Sequence, residues 1–461
     1  IFVLAAGMLF LSYLGLEQYF WGFQESRQYL LDQEAKGIPV SGVLKARALD
    51  DRVFATFTSC NSLAGYMLLL IPMLIAALWR WGGRVEPVKV SRVLFVALGG
   101  GAAIAVLLLT KSRAAYLAIA LTIGLAAVLW PMRRRWKIAL IALMAATVLA
   151  GALYIHRYGR GFESMEARAD YLRSSALLLA EHPLAGCGWG EFFFEHMRIK
   201  KVPSDEAAHD PHNLVMTAAQ AGLPLTLLVL AAMLYPLWIL GCRARRLRRE
   251  NGSWPPDEVA ALIGLTAFYL HSMMEIHFQI PGIMAAYFTF SLAMLSREEP
   301  PAETPGLPRP ATVGLWVLFL GLGVASILAG DWALKGEMAH DRLLSLASRS
   351  NKSPEQHDQV SPDAVRMTMR EATRLRPDSP FPYSVAADFM LSRDNLDEAE
   401  FLLEEAQKRA PKRPSIYQRR ALIALKRGDL AQAEAWMAKA RALFPNNPDY
   451  QKPVTSGNTK E

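Results

Sequence analysis

Cysteine is scarce in this chain: three in 461 residues, at Cys60, Cys187 and Cys242. None has the spacing of a metal site or a disulfide framework, so the fold must hold without either. A phosphate-cradling Gly loop, a His-Glu-x-x-His helix and a Gly-x-Ser-x-Gly turn are all missing. These absences exclude the commonest nucleotide-binding, zinc-hydrolase and serine-hydrolase designs. No pair of acidic residues is placed to hold a metal, so neither metal nor other cofactor is expected. Charge is also thin, at 20% of residues, and whole stretches carry none.

Apolar runs fill that space. Val53–Trp79, Ile138–Ile155, Leu214–Cys242 and Ala311–Gly330 approach bilayer length without an internal charge. About 20 apolar residues cross ~30 Å of hydrocarbon. Nine spans are expected, near 1–20, 53–79, 93–110, 114–131, 138–155, 213–241, 258–277, 280–296 and 311–330. The chain starts at Ile1, already inside an apolar run, and further spans are expected before it. Ile1–Leu16 lacks the basic start and cleavage site of a signal peptide. After Asp331 the runs stop, which explains a mean hydropathy of only +0.17. The fold class expected is therefore all-α: a polytopic transmembrane helical bundle over 1–330, then a soluble helical domain over 331–461.

Three basic clusters set the orientation. They hold Arg80, Arg84, Lys89 and Arg92; then Arg133, Arg134, Arg135 and Lys137; then Arg243, Arg245, Arg246, Arg248 and Arg249. All fall on one side of the nine spans, which the positive-inside rule makes cytoplasmic. The net charge of +8 is then a topology signal and not a nucleic-acid surface. The opposite side receives loops 21–52 and 156–212, short turns at Thr110–Arg113 and Glu275–Pro281, and everything after Gly330.

The C-terminal domain repeats itself. Pro380, Pro414 and Pro448 are 34 residues apart, and the same offset relates Tyr383 to Tyr417, Ala387 to Ala421, Ala399 to Ala433 and Ala406 to Ala440. A 34-residue period with small residues where helices cross resembles the tetratricopeptide repeat. Repeats 381–414 and 415–448 are clear; a degenerate unit precedes them, and 331–363 is expected to supply capping helices. Such a stack either binds a protein partner or packs against the membrane domain and holds a loop.

Polar residues at the ends of spans are the candidates for chemistry, because an ionisable group there needs a reason. Arg52 opens RVFATFTSCNSLAGY, Arg113 sits in the tight turn TKSRAAYLA, and Arg168 lies on the amphipathic stretch Met165–Ala180. His182 precedes Pro183, and His212 and Asn213 stand where a polar loop becomes a helix carrying Gly222-Leu223-Pro224. Each has a plainer reading: interfacial anchor for Arg52, solvated face for Arg168, helix end for His182, helix start for His212. His271, Glu275 and His277 read as a structural polar patch. As a set, guanidiniums at an interface suit a diphosphate, which they grip bidentately. A nearby imidazole suits proton removal from a hydroxyl.

Four segments, in order, resemble the O-antigen ligase superfamily, which includes O-antigen polymerases and protein O-oligosaccharyltransferases. They are RVFATFTSCNSLAGYMLLLIPML, TKSRAAYLA, ARADYLRSSALLLAEHPLAGCGWGEF and PHNLVMTAAQAGLPL. Cys60, Leu172, Gln220 or Ala221, and Leu225 depart from the family pattern. The resemblance implies a metal-independent glycosyltransferase in a bacterial inner membrane. It would move a glycan from undecaprenyl diphosphate to a hydroxyl of lipid A core, protein or glycan, at the periplasmic face. His212 would activate the acceptor; Arg52, Arg113, Arg168, His182 and Asn213 would hold diphosphate or glycan. Two other readings compete: a membrane-anchored tetratricopeptide scaffold for envelope assembly, and a transporter, which would want polar residues mid-span.

Overall fold

The computed structural model describes residues 2–35, 49–129, 133–158, 162–201, 214–296, 321, 328, 331–332, 334–348 and 360–451. Every regular element among them is helical. The chain divides into two compact units: 1–192 with 207–299, and 193–206 with 300–461.

In the first unit, helices lie over eight of the nine expected spans. The ninth, 311–330, lies outside the described residues except for Gly321 and Leu328. The helices are α1 (Phe2–Glu17), α2 (Phe23–Ala35), α3 (Cys60–Gly82), α4 (Val88–Phe95), α5 (Gly101–Leu109), α6 (Arg113–Leu129), α7 (Arg134–Tyr158), α8 (Phe162–Glu181), α10 (Leu214–Asn251), α11 (Pro256–Ser272) and α12 (Pro281–Leu295); α9 (Phe192–Ile199), between α8 and α10 in sequence, belongs to the second unit after its first residue. Single π turns join α1 to α2 and α4 to α5. Among the described residues, four stretches are long and apolar enough to cross a membrane: Phe2–Gln33, Cys60–Gly82, Val88–Leu109 and Leu214–Asn251. The chain is a multi-pass membrane protein.

Helix α3 is the axis of this unit. Ser59 caps it, accepting from the Ser62 N–H at 3.1 Å, and every residue from Ser62 to Ile71 is buried. The helix therefore starts at Cys60, later than the apolar run suggests. Residues 53–55 are held elsewhere: the Val53 N–H donates to the Leu109 carbonyl, and those of Phe54 and Ala55 donate to Gln18 Oε1. Helix α11 lies against α3 closely enough that a Cβ on Gly264 would fall 2.3 Å from the Leu69 carbonyl oxygen. Helix α10 is the opposite case. Leu227, Leu228 and Trp238 are each more than 60% exposed, a surface suited to lipid and not to water.

The unit has a basic end. Arg80, at the close of α3, pairs with Asp257, and Arg243 of α10 lies 3.3 Å from Glu258. Asp257 and Glu258 occupy the first turn of α11, where a carboxylate also meets the positive end of the helix dipole. The third basic cluster is helical and not a loop: α10 continues through it to Asn251. Arginine is a good helix former, and its long stem lets the charge leave the apolar layer.

The second unit is built from α13 (Pro362–Leu375), α14 (Phe381–Ser392), α15 (Leu396–Arg409), α16 (Pro414–Lys426), α17 (Leu430–Leu443) and α18 (Pro448–Gln451). The 34-residue period reappears physically. Ala387 and Ala421, Ala399 and Ala433, Ala406 and Ala440 are all buried at helix crossings. Asn395 and Asp429 cap α15 and α17, each accepting the N–H three residues on. The turns before them place Asp394 at φ 58° and Gly428 at φ 80°, one period apart. Leu343 and Ala347, from a helical stretch at 334–348, pack into the same core.

Candidate active site

Opposite the basic end, α3 begins and α11 ends, and polar side chains from distant parts of the sequence meet there. Glu275 is the hub. Its Oε1 accepts from Asn61 Nδ2 at 2.9 Å and from Arg168 Nη2 at 2.8 Å. Asn61 Oδ1 in turn accepts from Arg52 Nη2 at 2.9 Å, and Arg52 Nε donates to the Thr110 carbonyl at 3.1 Å. The Glu275 side chain is 9% exposed and that of Arg168 is 38% exposed. One carboxylate, itself held by two donors, thus fixes two guanidiniums at a partly open surface.

A second chain of contacts fixes the turn before α6. Ser112 Oγ lies 3.4 Å from His271 Nε2, and His271 Nδ1 lies 2.6 Å from His277 Nε2. His277 stacks on Phe268 with ring centroids 5.6 Å apart. Gly65 makes room for it, since a Cβ there would fall 2.2 Å from His277 Nε2. Arg52 holds this turn at Thr110 and His271 holds it at Ser112. Arg113, the next residue, opens α6 with its side chain exposed.

A third element braces α8 against α10. The turn after α8 runs along a break in α10. The Cys187 N–H donates to the Ala219 carbonyl at 2.8 Å and the Gly188 N–H to the Gln220 carbonyl at 3.1 Å. The Leu223 N–H donates to the Pro183 carbonyl at 2.9 Å, and the Gly190 N–H to Gln220 Oε1 at 2.7 Å. Pro224 has no N–H to give, and Gly222 takes φ 77° and ψ 169° inside α10. A Cβ on Gly222 would lie 2.0 Å from the Leu184 oxygen, and one on Gly186 would lie 2.2 Å from the Gln220 oxygen. Both glycines are required by this backbone contact. The His-Pro-Leu-x-Gly-x-Gly and Gly-Leu-Pro segments are therefore two halves of one lock.

Residues 98–230 match the family model described as O-Antigen ligase, and residues 368–452 match that of the Tetratricopeptide repeat. The chain is similar to the O-antigen ligase family over the first stretch and to the tetratricopeptide repeat over the second. No curated protein matches it. The O-antigen ligase match takes in Arg113, Arg168 and the whole of the lock. Arg52, Asn61 and Glu275 lie outside it in sequence, yet Arg52 bonds to Thr110 and Glu275 to Arg168 inside it, and Asn61 bridges Arg52 and Glu275.

Of the residues singled out from sequence, Arg52 and Arg168 join one network, and Arg113 is tied to it through its turn. His182 stands apart: its side chain is exposed, and its backbone closes α8, accepting from the Gly186 N–H at 3.0 Å. His212 and Asn213 lie outside the described residues. Sequence reasoning passed over Asn61 and treated Glu275 as part of a structural patch. A signal for Glu275 was present: it is the lone carboxylate between Glu258 and Glu298, in an apolar stretch. An isolated charge in such a stretch marks a functional site by default. Among the described residues, no group of His, Cys, Asp and Glu is arranged to hold a metal ion.

Proposed function

We propose that the membrane unit transfers a glycan from undecaprenyl diphosphate to an acceptor hydroxyl at the periplasmic face of the inner membrane. The observation that carries this reading is the convergence of Arg52, Asn61 and Arg168 on Glu275. Among the described residues, Arg52 gives two of its five N–H donors to Thr110 and Asn61, and Arg168 gives one to Glu275. The remaining donors are the ones we assign to an anion. With one carboxylate between two guanidiniums the trio keeps a net positive charge. A diphosphate at the membrane surface meets that need.

In the step proposed, His212 takes the proton of the acceptor hydroxyl. The acceptor oxygen bonds to the anomeric carbon, and the bond from that carbon to the diphosphate oxygen breaks. The electron pair leaves with undecaprenyl diphosphate, whose growing charge Arg113 and Arg168 stabilise while Arg52 assists. A single displacement of this kind inverts the anomeric centre. Asn213 and His182 are assigned to glycan contact by resemblance alone. We place the tetratricopeptide unit on the same face.

The test is transfer by the purified protein in lipid vesicles. The vesicles carry undecaprenyl-diphosphate glycan and host envelope acceptors, with products read by mass. Wild type should shift one acceptor by the glycan mass, and His212→Ala should not. A folded wild type that shifts no acceptor fraction would move the assignment to the scaffold reading.

A further inference from the structure

A helical solenoid leaves the apolar end face of its last repeat uncovered unless something caps it. Here the cap comes from far upstream in sequence. Residues 193–206 belong to the compact unit of the repeats, although the chain on both sides belongs to the membrane unit. Met197 of α9 is 3% exposed, packed in one apolar cluster with Tyr417, Met437 and Phe444, and Phe193 lies against the same cluster.

Polar contacts fix the position of α9. Lys412 Nζ donates to Glu195 Oε1 at 2.9 Å, and Arg198 Nε donates to Glu195 Oε2 at 3.0 Å. Burial raises the Glu195 pKa, but the hydrogen bonds and charges of Lys412 and Arg198 more than offset this and hold it below the ordinary value. Asn446 Nδ2 donates to the Lys200 carbonyl at 2.6 Å, one of the acceptors that a helix end leaves unpaired. The Lys200 ammonium sits 4.6 Å above the Phe444 ring.

We propose that the end face of the last repeat is the seat of the chain's own α9, and that the repeat unit acts in cis to hold the loop that leads to His212. Only eleven residues, 201–211, separate this seat from His212. Fully extended they reach about 40 Å, so seating α9 limits where the acceptor-activating histidine can stand. The consequence for activity rests on the transferase reading; the seat itself does not.

Two readouts on the full-length protein separate these claims: hydrogen exchange of residues 193–200, and glycan transfer at saturating donor. In Met197→Asp, exchange of 193–200 should rise at least tenfold while that of 381–409 stays at the wild-type level. Transfer kcat should fall at least tenfold, with the donor KM within twofold. Met197→Leu should match wild type in both. Unchanged exchange in Met197→Asp would overturn the seat. Faster exchange with wild-type kcat would overturn the positioning role and leave the transferase standing. A wild type that transfers nothing would sink the transferase reading instead, and the exchange readout would still decide the seat.

Discussion

Both units contain basic side chains paired with carboxylates, but they use them differently. In the repeat unit the pairs are many and local. Arg419 meets Asp388, Lys426 meets Asp394, and Arg427 meets Asp397, with the carboxylate of each pair well exposed. In the membrane unit charges are few, and at the α3–α11 end they converge on Glu275. Water makes the first kind cheap, and each pair contributes little. Lipid and burial make the second kind costly, so its presence calls for a function. The same residue types therefore support a functional argument in one unit and a structural one in the other.

The comparison breaks first at the site. Arg168→Ala should lower transfer at least ~100-fold, the scale of a charge clamp on a leaving group. Glu275→Gln should follow, at roughly 10–100-fold, because a neutral amide no longer balances the Arg168 charge, although its carbonyl oxygen can still accept from Asn61 and Arg168. It should also cost some stability. Removing one partner of a buried pair costs roughly 3–5 kcal/mol. The low end applies here because Arg168 is 38% exposed. Transfer assays and thermal midpoints in the same vesicles would check both.

Glycine sharpens the contrast. Gly222 and Gly428 both adopt positive φ, 77° and 80°. A side chain at 222 would strike the Leu184 carbonyl, whereas one at 428 meets nothing within 4 Å. Gly222→Ala should exceed the roughly 1–3 kcal/mol of backbone strain alone and reduce the yield of folded protein. Gly428→Asn should shift the melting temperature by a degree or two at most, since Asp394 already fills the equivalent place. Smallest of all, Arg427→Ala should cost no more than about 1 kcal/mol, as expected of an exposed pair, and leave transfer unchanged.

The repeat fold was legible because its rules are local. A period of 34 in Pro and Ala is enough to specify helix pairs, and even the caps Asn395 and Asp429 obey it. The apolar helices were legible for the same reason: hydropathy is a property of a short window. Their ends were less so. Helix α3 starts at its Ser59 cap, and α10 runs on through its arginines, where capping and helix propensity outweigh the apolar count. At the site, motif order pointed to Arg52 and Arg168, but nothing local joins Asn61 to Glu275, which is 214 positions away. The lock between Gly186 and Gly222 was hidden likewise, because it depends on backbone contacts between two segments read separately.

The most direct measurement compares the release of undecaprenyl diphosphate by two arginine variants of the full-length protein, Arg168→Ala and Arg427→Ala, under identical vesicle conditions. The account predicts that Arg168→Ala retains under one hundredth of the wild-type rate while Arg427→Ala retains all of it. Equal rates in the two variants would contradict the claim that the network around Glu275 is where the lipid diphosphate is handled.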